Sequence, residues 1–72
     1  MDHQKIESQF QEKLREIYEQ HGSLQDRISA DEFVGMFTVK YKDGRPLQPV
    51  APEDVDNTTF QKVMAAFNDV YP

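Results

Sequence analysis

Apolar residues recur near the start of the chain with the period of an α-helix. They are separated by steps of four, four, three and one residues, the spacing of one buried helical face: Ile6, Phe10, Leu14, Ile17 and Tyr18. The opposite face carries mixed charges, and neither proline nor glycine interrupts the stretch. The pattern predicts a helix over about 3–21, with Asp2 as its N-cap and Gly22 as its C-cap.

A second helix is indicated by the signals at its start. Ser29 and Glu32 have the spacing of a capping box, in which the serine hydroxyl binds the amide three residues on and the glutamate reaches back. Ile28 and Phe33 are placed as the hydrophobic staple that accompanies such a box. We therefore expect this helix to begin near Ala30.

The end of the second helix is ambiguous in the sequence. One helical face would collect four apolar positions, namely Phe33, Val34, Phe37 and Tyr41. Residues 37–42 also alternate as a strand would, and β-branched Thr38 and Val39 favour a strand. The partner beyond the Asp-Gly turn would contain two prolines, which cannot donate to a ladder. We favour a helix over about 30–40, and a β-hairpin at about 37–50 is the alternative.

The last part of the chain repeats the helical pattern of the first. The apolar stripe consists of Phe60, Val63, Met64, Phe67, Val70 and Tyr71. Its spacing predicts a helix over about 57–71. Thr58 and Gln61 have the spacing of a second capping box at its start.

These elements predict a mainly α fold: one small domain over 1–72, built as a three-helix bundle with a Pro-rich connector at 43–56. The alternative is an α+β fold in which helices pack on the hairpin at about 37–50. The predicted core consists of Ile6, Phe10, Leu14, Ile17, Phe33, Val34, Phe37, Phe60, Val63, Met64 and Phe67.

Charge and composition narrow the function classes. Thirteen acidic against eight basic residues give a net charge of −5 without any basic run. Because phosphate contacts supply most of the affinity for nucleic acids, direct binding to nucleic acid or to an anionic membrane is disfavoured. The chain has no cysteine and no apolar run of the roughly 18 residues that a membrane span needs. The N-terminus also lacks the apolar stretch of a signal peptide, so we expect a cytoplasmic protein.

Catalytic and metal-binding patterns are not found. His3 and His21 would lie roughly 27 Å apart on one helix at 1.5 Å per residue, too far to share a ligand. The acidic spacing from Asp54 resembles the start of an EF-hand loop, but Thr59 stands where the loop needs glycine and Ala65 where it needs glutamate. We therefore expect no enzyme activity, no cofactor and no metal site.

The connector carries three prolines at a spacing of three: Pro46, Pro49 and Pro52. Two overlapping PxxP units resemble an SH3-type ligand, because this spacing aligns prolines on one edge of a polyproline II helix. Arg45 is out of register with the basic position of such ligands. We interpret the stretch as a spacer that leads to the last helix.

These exclusions favour a protein-binding module, a small acidic adaptor or inhibitor that docks on a larger and perhaps basic protein. The side chains predicted to contact the partner are Tyr18, Met36, Tyr41, Arg45, Leu47, Val50 and Tyr71. Aromatic and methionine side chains are enriched as interface anchors. The alternatives are a homo-oligomerising structural subunit and an acidic mimic of nucleic acid that blocks a nucleic-acid-binding protein.

Overall fold

A computed structural model describes residues 3–71, with His3 described by its backbone alone, and the fold is mainly α-helical as predicted. In chain order the elements are α1 (His3–Glu19), α2 (Gly22–Gln25), α3 (Ala30–Met36), β1 (Tyr41–Lys42), β2 (Arg45–Pro46) and α4 (Asn57–Val70). Helices α1, α3 and α4 correspond to the three predicted helices. The single turn α2 and the two-stranded hairpin are additional. Asp2, the predicted N-cap of α1, lies outside the described residues.

Helix α1 ends two residues earlier than predicted, and the prediction of Gly22 as its C-cap is wrong. Gly22 is the first residue of α2, and its φ angle is not positive. The Gln25 side-chain amide instead donates to the carbonyl oxygens of Tyr18 and Glu19, at 3.2 and 3.0 Å. Because these bonds satisfy the last carbonyls of α1, the helix ends without the left-handed residue that a glycine cap would supply.

Helix α3 begins where the capping box predicts. The Ser29 hydroxyl accepts a hydrogen bond from the Glu32 amide at 3.2 Å and lies 3.3 Å from the Glu32 carboxylate. The predicted extension to residue 40 is wrong, because α3 ends at Met36. The Thr38 hydroxyl donates to the Gly35 carbonyl at 3.1 Å, which satisfies a carbonyl of the last helical turn.

The hairpin alternative is correct in a shorter form. Asp43 and Gly44 have φ angles of 54° and 77°, as the two central residues of a type I′ turn require. Lys42 then pairs with Arg45, and Tyr41 pairs with Pro46. The Leu47 amide donates to the Lys40 carbonyl at 2.7 Å, which extends the ladder by one pair.

Proline is tolerated in β2 because of the hydrogen-bond pattern of the ladder. Hydrogen-bonded and non-hydrogen-bonded pairs alternate in an antiparallel hairpin. The pairs Lys42–Arg45 and Lys40–Leu47 occupy the bonded positions, so Pro46 lies at a non-bonded position between them. The missing proline N–H therefore removes no ladder bond.

Helix α4 begins at the predicted residue but with a different cap. Asp56, and not Thr58, is the N-cap: its carboxylate accepts hydrogen bonds from the Thr59 amide at 3.2 Å and the Thr59 hydroxyl at 2.6 Å. Thr59 is fully buried, so these two bonds satisfy polar groups that are shielded from water. The helix ends at Val70, and the Tyr71 amide still donates to the Phe67 carbonyl at 2.8 Å.

The core lies between α1 and the helices that pack on it, α2, α3 and α4. Its buried apolar residues are Phe10, Leu14, Ile17, Leu24, Phe33, Phe37, Val55, Val63 and Phe67. Seven of them belong to the predicted core, whereas Leu24 and Val55 do not. Four predicted core residues are only partly buried: Ile6, Val34, Phe60 and Met64. The burial of Leu24 and Val55 shows that α2 and the end of the connector also cover the core.

The Asp56 cap makes the stability of the fold depend on pH. The Thr59 hydroxyl and amide hold the pKa of Asp56 below its ordinary value. A lowered pKa contributes stability above the ordinary carboxyl pKa, and this contribution is lost as pH falls through the lowered value. We expect Asp56→Ala to lower the urea midpoint at pH 7. Asp56→Asn should keep most of the cap while reducing the loss of stability below about pH 4.

Urea denaturation followed by circular dichroism, at pH 7 and at pH 2 to 5, measures both effects. Asp54, which is exposed, provides the control variant Asp54→Asn. If the wild type and Asp56→Asn lost equal stability at low pH, the Asp56 cap would not be the source of the acid dependence.

Candidate protein-binding surface

The large exposed apolar side chains of residues 4–71 all lie on the hairpin and the connector that follows it. Tyr41 is 44% exposed, Leu47 45% and Val50 84%. The turn at Asp43 and Gly44 and the prolines favour an extended backbone in this segment, and Leu47 and Val50 remain open to solvent. The end of the connector is anchored instead, since Val55 is buried and Arg27 donates to the Asp54 carbonyl at 3.1 Å.

A groove of about 200 Å³ lies beside Leu47 and Val50 and is lined by residues 36–40 and 47–50, here called the hairpin groove. Its two sides are held together by the bond between the Leu47 amide and the Lys40 carbonyl. Met36 and Val39 pack against the core, whereas Leu47 and Val50 are open to solvent. One apolar wall of the groove therefore packs against the core, and the other is exposed to solvent.

Three other depressions in the described part of the chain lack such exposed side chains. Depressions of about 340 and 460 Å³ lie along α4, and one of about 190 Å³ lies between Leu24 and Asp54. None of them contains Tyr41, Leu47 or Val50. Size alone therefore does not single out the hairpin groove, but exposed apolar surface does.

The register of the hairpin assigns its side chains to two faces. Successive residues of a strand point to opposite faces, and paired residues share a face. Tyr41 and Pro46 therefore share one face. The other face carries Lys40, Lys42, Arg45 and Leu47. Three cations and one apolar groove residue thus project from the same side of the hairpin.

Positive charge is concentrated on this face. Residues 36–50 contain three basic residues and one acidic residue, Asp43, whereas the rest of the chain contains five basic and twelve acidic residues. The three basic residues are Lys40, Lys42 and Arg45, here called the hairpin cations. All three are exposed. An acidic protein therefore presents a locally basic edge along its apolar groove.

Outside the hairpin, most cationic side chains make an ion pair or a hydrogen bond. Lys13 lies 2.9 Å from Asp69 and Arg15 lies 2.9 Å from Asp31, which joins α1 to α4 and to α3. The ion pair with Asp69 raises the pKa of Lys13. Lys62 approaches the His21 ring at 3.3 Å. Among residues 4–71, the hairpin cations and Lys5 have no ion pair or side-chain hydrogen bond.

The opposite face of the hairpin lies against the aromatic end of the core. The Tyr71 ring stacks on Phe67 at 4.9 Å and meets Phe10 edge-on at 5.9 Å. Its hydroxyl is buried without a hydrogen-bond partner of normal geometry in the described part of the chain. Burial, with smaller contributions from Tyr41 and Glu7, raises the pKa of Tyr71 to about 12. Tyr41 therefore lies beside Tyr71 and faces away from the hairpin cations.

The residues predicted to contact a partner occupy three places. Met36, Leu47 and Val50 line the hairpin groove, and Arg45 lies on the hairpin face that borders it. The other three lie elsewhere. Tyr41 and Tyr71 are neighbours on the opposite face, and Tyr18 donates to the Ile28 carbonyl at 2.7 Å and packs on Phe33.

Four residues of the groove or of the hairpin face that borders it were not predicted from the sequence: Val39, Lys40, Lys42 and Pro49. Alternation of lysine with apolar residues before an Asp-Gly turn could have indicated Lys40 and Lys42 as one face of a strand. The favoured helix over about 30–40 ends at Lys40 and leaves Lys42 outside it, so it does not place the two lysines on one face. Strand register was the signal that could have brought them together.

Neither a metal site nor a membrane-spanning helix is found in the described residues. No three His, Asp or Glu side chains of residues 4–71 are arranged to hold a metal ion. None of the helices found over residues 3–71 is both long and apolar enough to cross a bilayer.

No known protein family, curated protein or solved structure shows significant similarity to the chain.

The environment of Tyr71 predicts how the three tyrosines titrate. We expect one phenol to ionise near pH 12 and Tyr71→Phe to remove that step. A raised pKa contributes stability below about pH 10, and that contribution is lost as pH rises toward 12. Tyr71→Phe should destabilise the protein less than Tyr18→Phe at pH 7, because the Tyr71 hydroxyl has no hydrogen bond of normal geometry. Tyr18→Phe should cost about 1 kcal/mol, because it removes the bond to Ile28.

Absorbance at 295 nm as a function of pH follows the phenols, and urea denaturation at pH 7 compares the two variants. An ionisation step near pH 12 that persists in Tyr71→Phe would contradict its assignment to Tyr71. A larger loss of stability in Tyr71→Phe than in Tyr18→Phe would contradict the account of the hydroxyls.

Proposed function

We propose that the protein is a non-enzymatic protein-binding module, an adaptor or inhibitor that docks on a larger protein through the hairpin groove. One observation carries the proposal: Leu47 and Val50 are exposed apolar side chains, and both line the same groove. Exposed apolar side chains gathered in one patch mark interaction sites, whereas the same residues scattered singly do not.

The dimensions of the groove favour a protein over a small molecule. Small-molecule pockets usually enclose about 300 to 1,000 Å³ and bury most of the ligand. The hairpin groove is smaller, about 200 Å³, and Val50 at its edge is almost fully exposed. A protein partner can fill the groove and also cover Val50 and the hairpin beside it.

The packing and turn geometry around the groove support this use. Met36 and Val39 are held by the core, and the turn residues Asp43 and Gly44 fix the hairpin. A preformed surface loses little conformational entropy on binding, so more of the contact energy is available for affinity. We further infer that the module works in the cytoplasm, in keeping with a chain that has no cysteine.

Capture of partners by the immobilised protein tests the proposal. The wild type is compared with Leu47→Ser/Val50→Ser, and bound proteins from a lysate of the expressing cells are quantified by mass spectrometry. We expect a saturable partner whose capture falls at least tenfold in this variant, because central apolar anchors carry much of the binding energy.

The matched control is Gln61→Ser/Asn68→Ser, two exposed changes on the outer face of α4. It should retain the partner. Equal capture by the wild type and by Leu47→Ser/Val50→Ser, or no saturable partner at either low or high salt, would refute the proposal.

A further inference from the structure

We infer that the hairpin groove binds a linear segment of the partner that combines apolar side chains with carboxylates. This inference rests on the proposed function and specifies the chemistry of the partner. It reverses the expectation of a basic partner that the net charge suggests. The reason is that the groove borders the hairpin face that carries Lys40, Lys42 and Arg45.

The apolar part of the segment is selected by the groove. Leu47 and Val50 are exposed on one side, and the half-buried Met36 and Val39 form the other. Methionine is unbranched and polarisable, so it adapts to different apolar side chains. A groove of about 200 Å³ accommodates a few side chains of an extended or helical segment, as peptide-binding grooves do.

The acidic part is selected by the hairpin cations. Lys40, Lys42 and Arg45 project from the face that also carries Leu47, and none has a partner among residues 4–71. Arginine additionally offers a planar fork that matches a carboxylate in two bonds. A segment whose apolar side chains fill the groove would place its flanking carboxylates beside these cations.

The hairpin register adds a second argument for a carboxylate at this face. Lys42 and Arg45 are directly paired across the two strands. Like charges at paired positions destabilise a hairpin, and a bound carboxylate between them would remove that repulsion. In the described structure no acidic side chain pairs with either cation, so the repulsion has no internal compensation.

The rest of the surface orients such a segment. Twelve of the thirteen acidic residues lie outside residues 36–50 and repel a negatively charged chain. The attraction to the hairpin and the repulsion elsewhere both act over roughly 8 Å at physiological ionic strength. Binding should therefore weaken as salt is raised, although the apolar contacts remain.

A random library of 16-residue peptides displayed on phage and selected on the full chain tests the inference. We expect the enriched peptides to carry apolar residues and a net negative charge. Synthetic copies should bind in fluorescence anisotropy, and binding should fall at least tenfold in Lys40→Gln/Lys42→Gln/Arg45→Gln. Surface ion pairs of about threefold each would together give this effect.

The control Lys5→Gln/Arg15→Gln/Lys62→Gln changes the net charge equally at positions away from the hairpin and should bind like the wild type. Removal of the Lys42–Arg45 repulsion should leave the hairpin variant at least as stable, so unfolding would not explain its loss of binding. Urea denaturation verifies this point.

Several results would overturn the inference. They are no enrichment, enrichment of basic peptides, equal loss of binding in the control, or tighter binding of a 16-nucleotide single-stranded DNA than of the selected peptides. If the Leu47 and Val50 changes abolish partner capture while the selected peptides are not acidic, the proposed function stands and only the partner chemistry fails. If neither capture nor peptide binding depends on the groove, both fail.

Discussion

The packing of α2, α3 and α4 against α1 is the contact on which the rest of the structure depends. A chain of 72 residues has few apolar side chains, and the stripe of α1 provides the surface that all three other helices cover. Phe10 lies at its centre and meets the Phe67 ring edge-on at 5.9 Å. The hairpin adds no buried side chain to this core and leaves Leu47 and Val50 in solvent.

The helices and the hairpin also differ in how their charged side chains are paired. Ion pairs at Lys13 and Arg15 fasten the outer edges of α1 to α4 and α3, which neutralises part of the helical body. The hairpin contributes little to that body and retains cations that the body does not pair. Stability and recognition are thus assigned to different segments: the helices form the support, and the hairpin with its groove forms the surface that we propose for a partner.

The sequence predicted the features whose signals are local. The periodic stripes of α1 and α4 and the capping box of Ser29 are set by neighbouring residues, and the structure contains them. The end of α1 depends on Gln25 reaching back from the next turn, which periodicity does not describe. The hairpin depends on Pro46 falling at a non-bonded position of the ladder, which composition does not describe. Because the second helix was predicted to extend to about residue 40, the sequence did not place Lys40, Lys42 and Leu47 on one face of a hairpin.

The central claim is that a partner contacts the groove side of the hairpin. Intermolecular nuclear Overhauser effects between the captured partner and the methyl groups of this protein test it most directly. The account predicts contacts to the methyls of Leu47, Val50 and Met36. Contacts confined to Met64 and Ala65 on the outer face of α4, with none to the groove methyls, would contradict it.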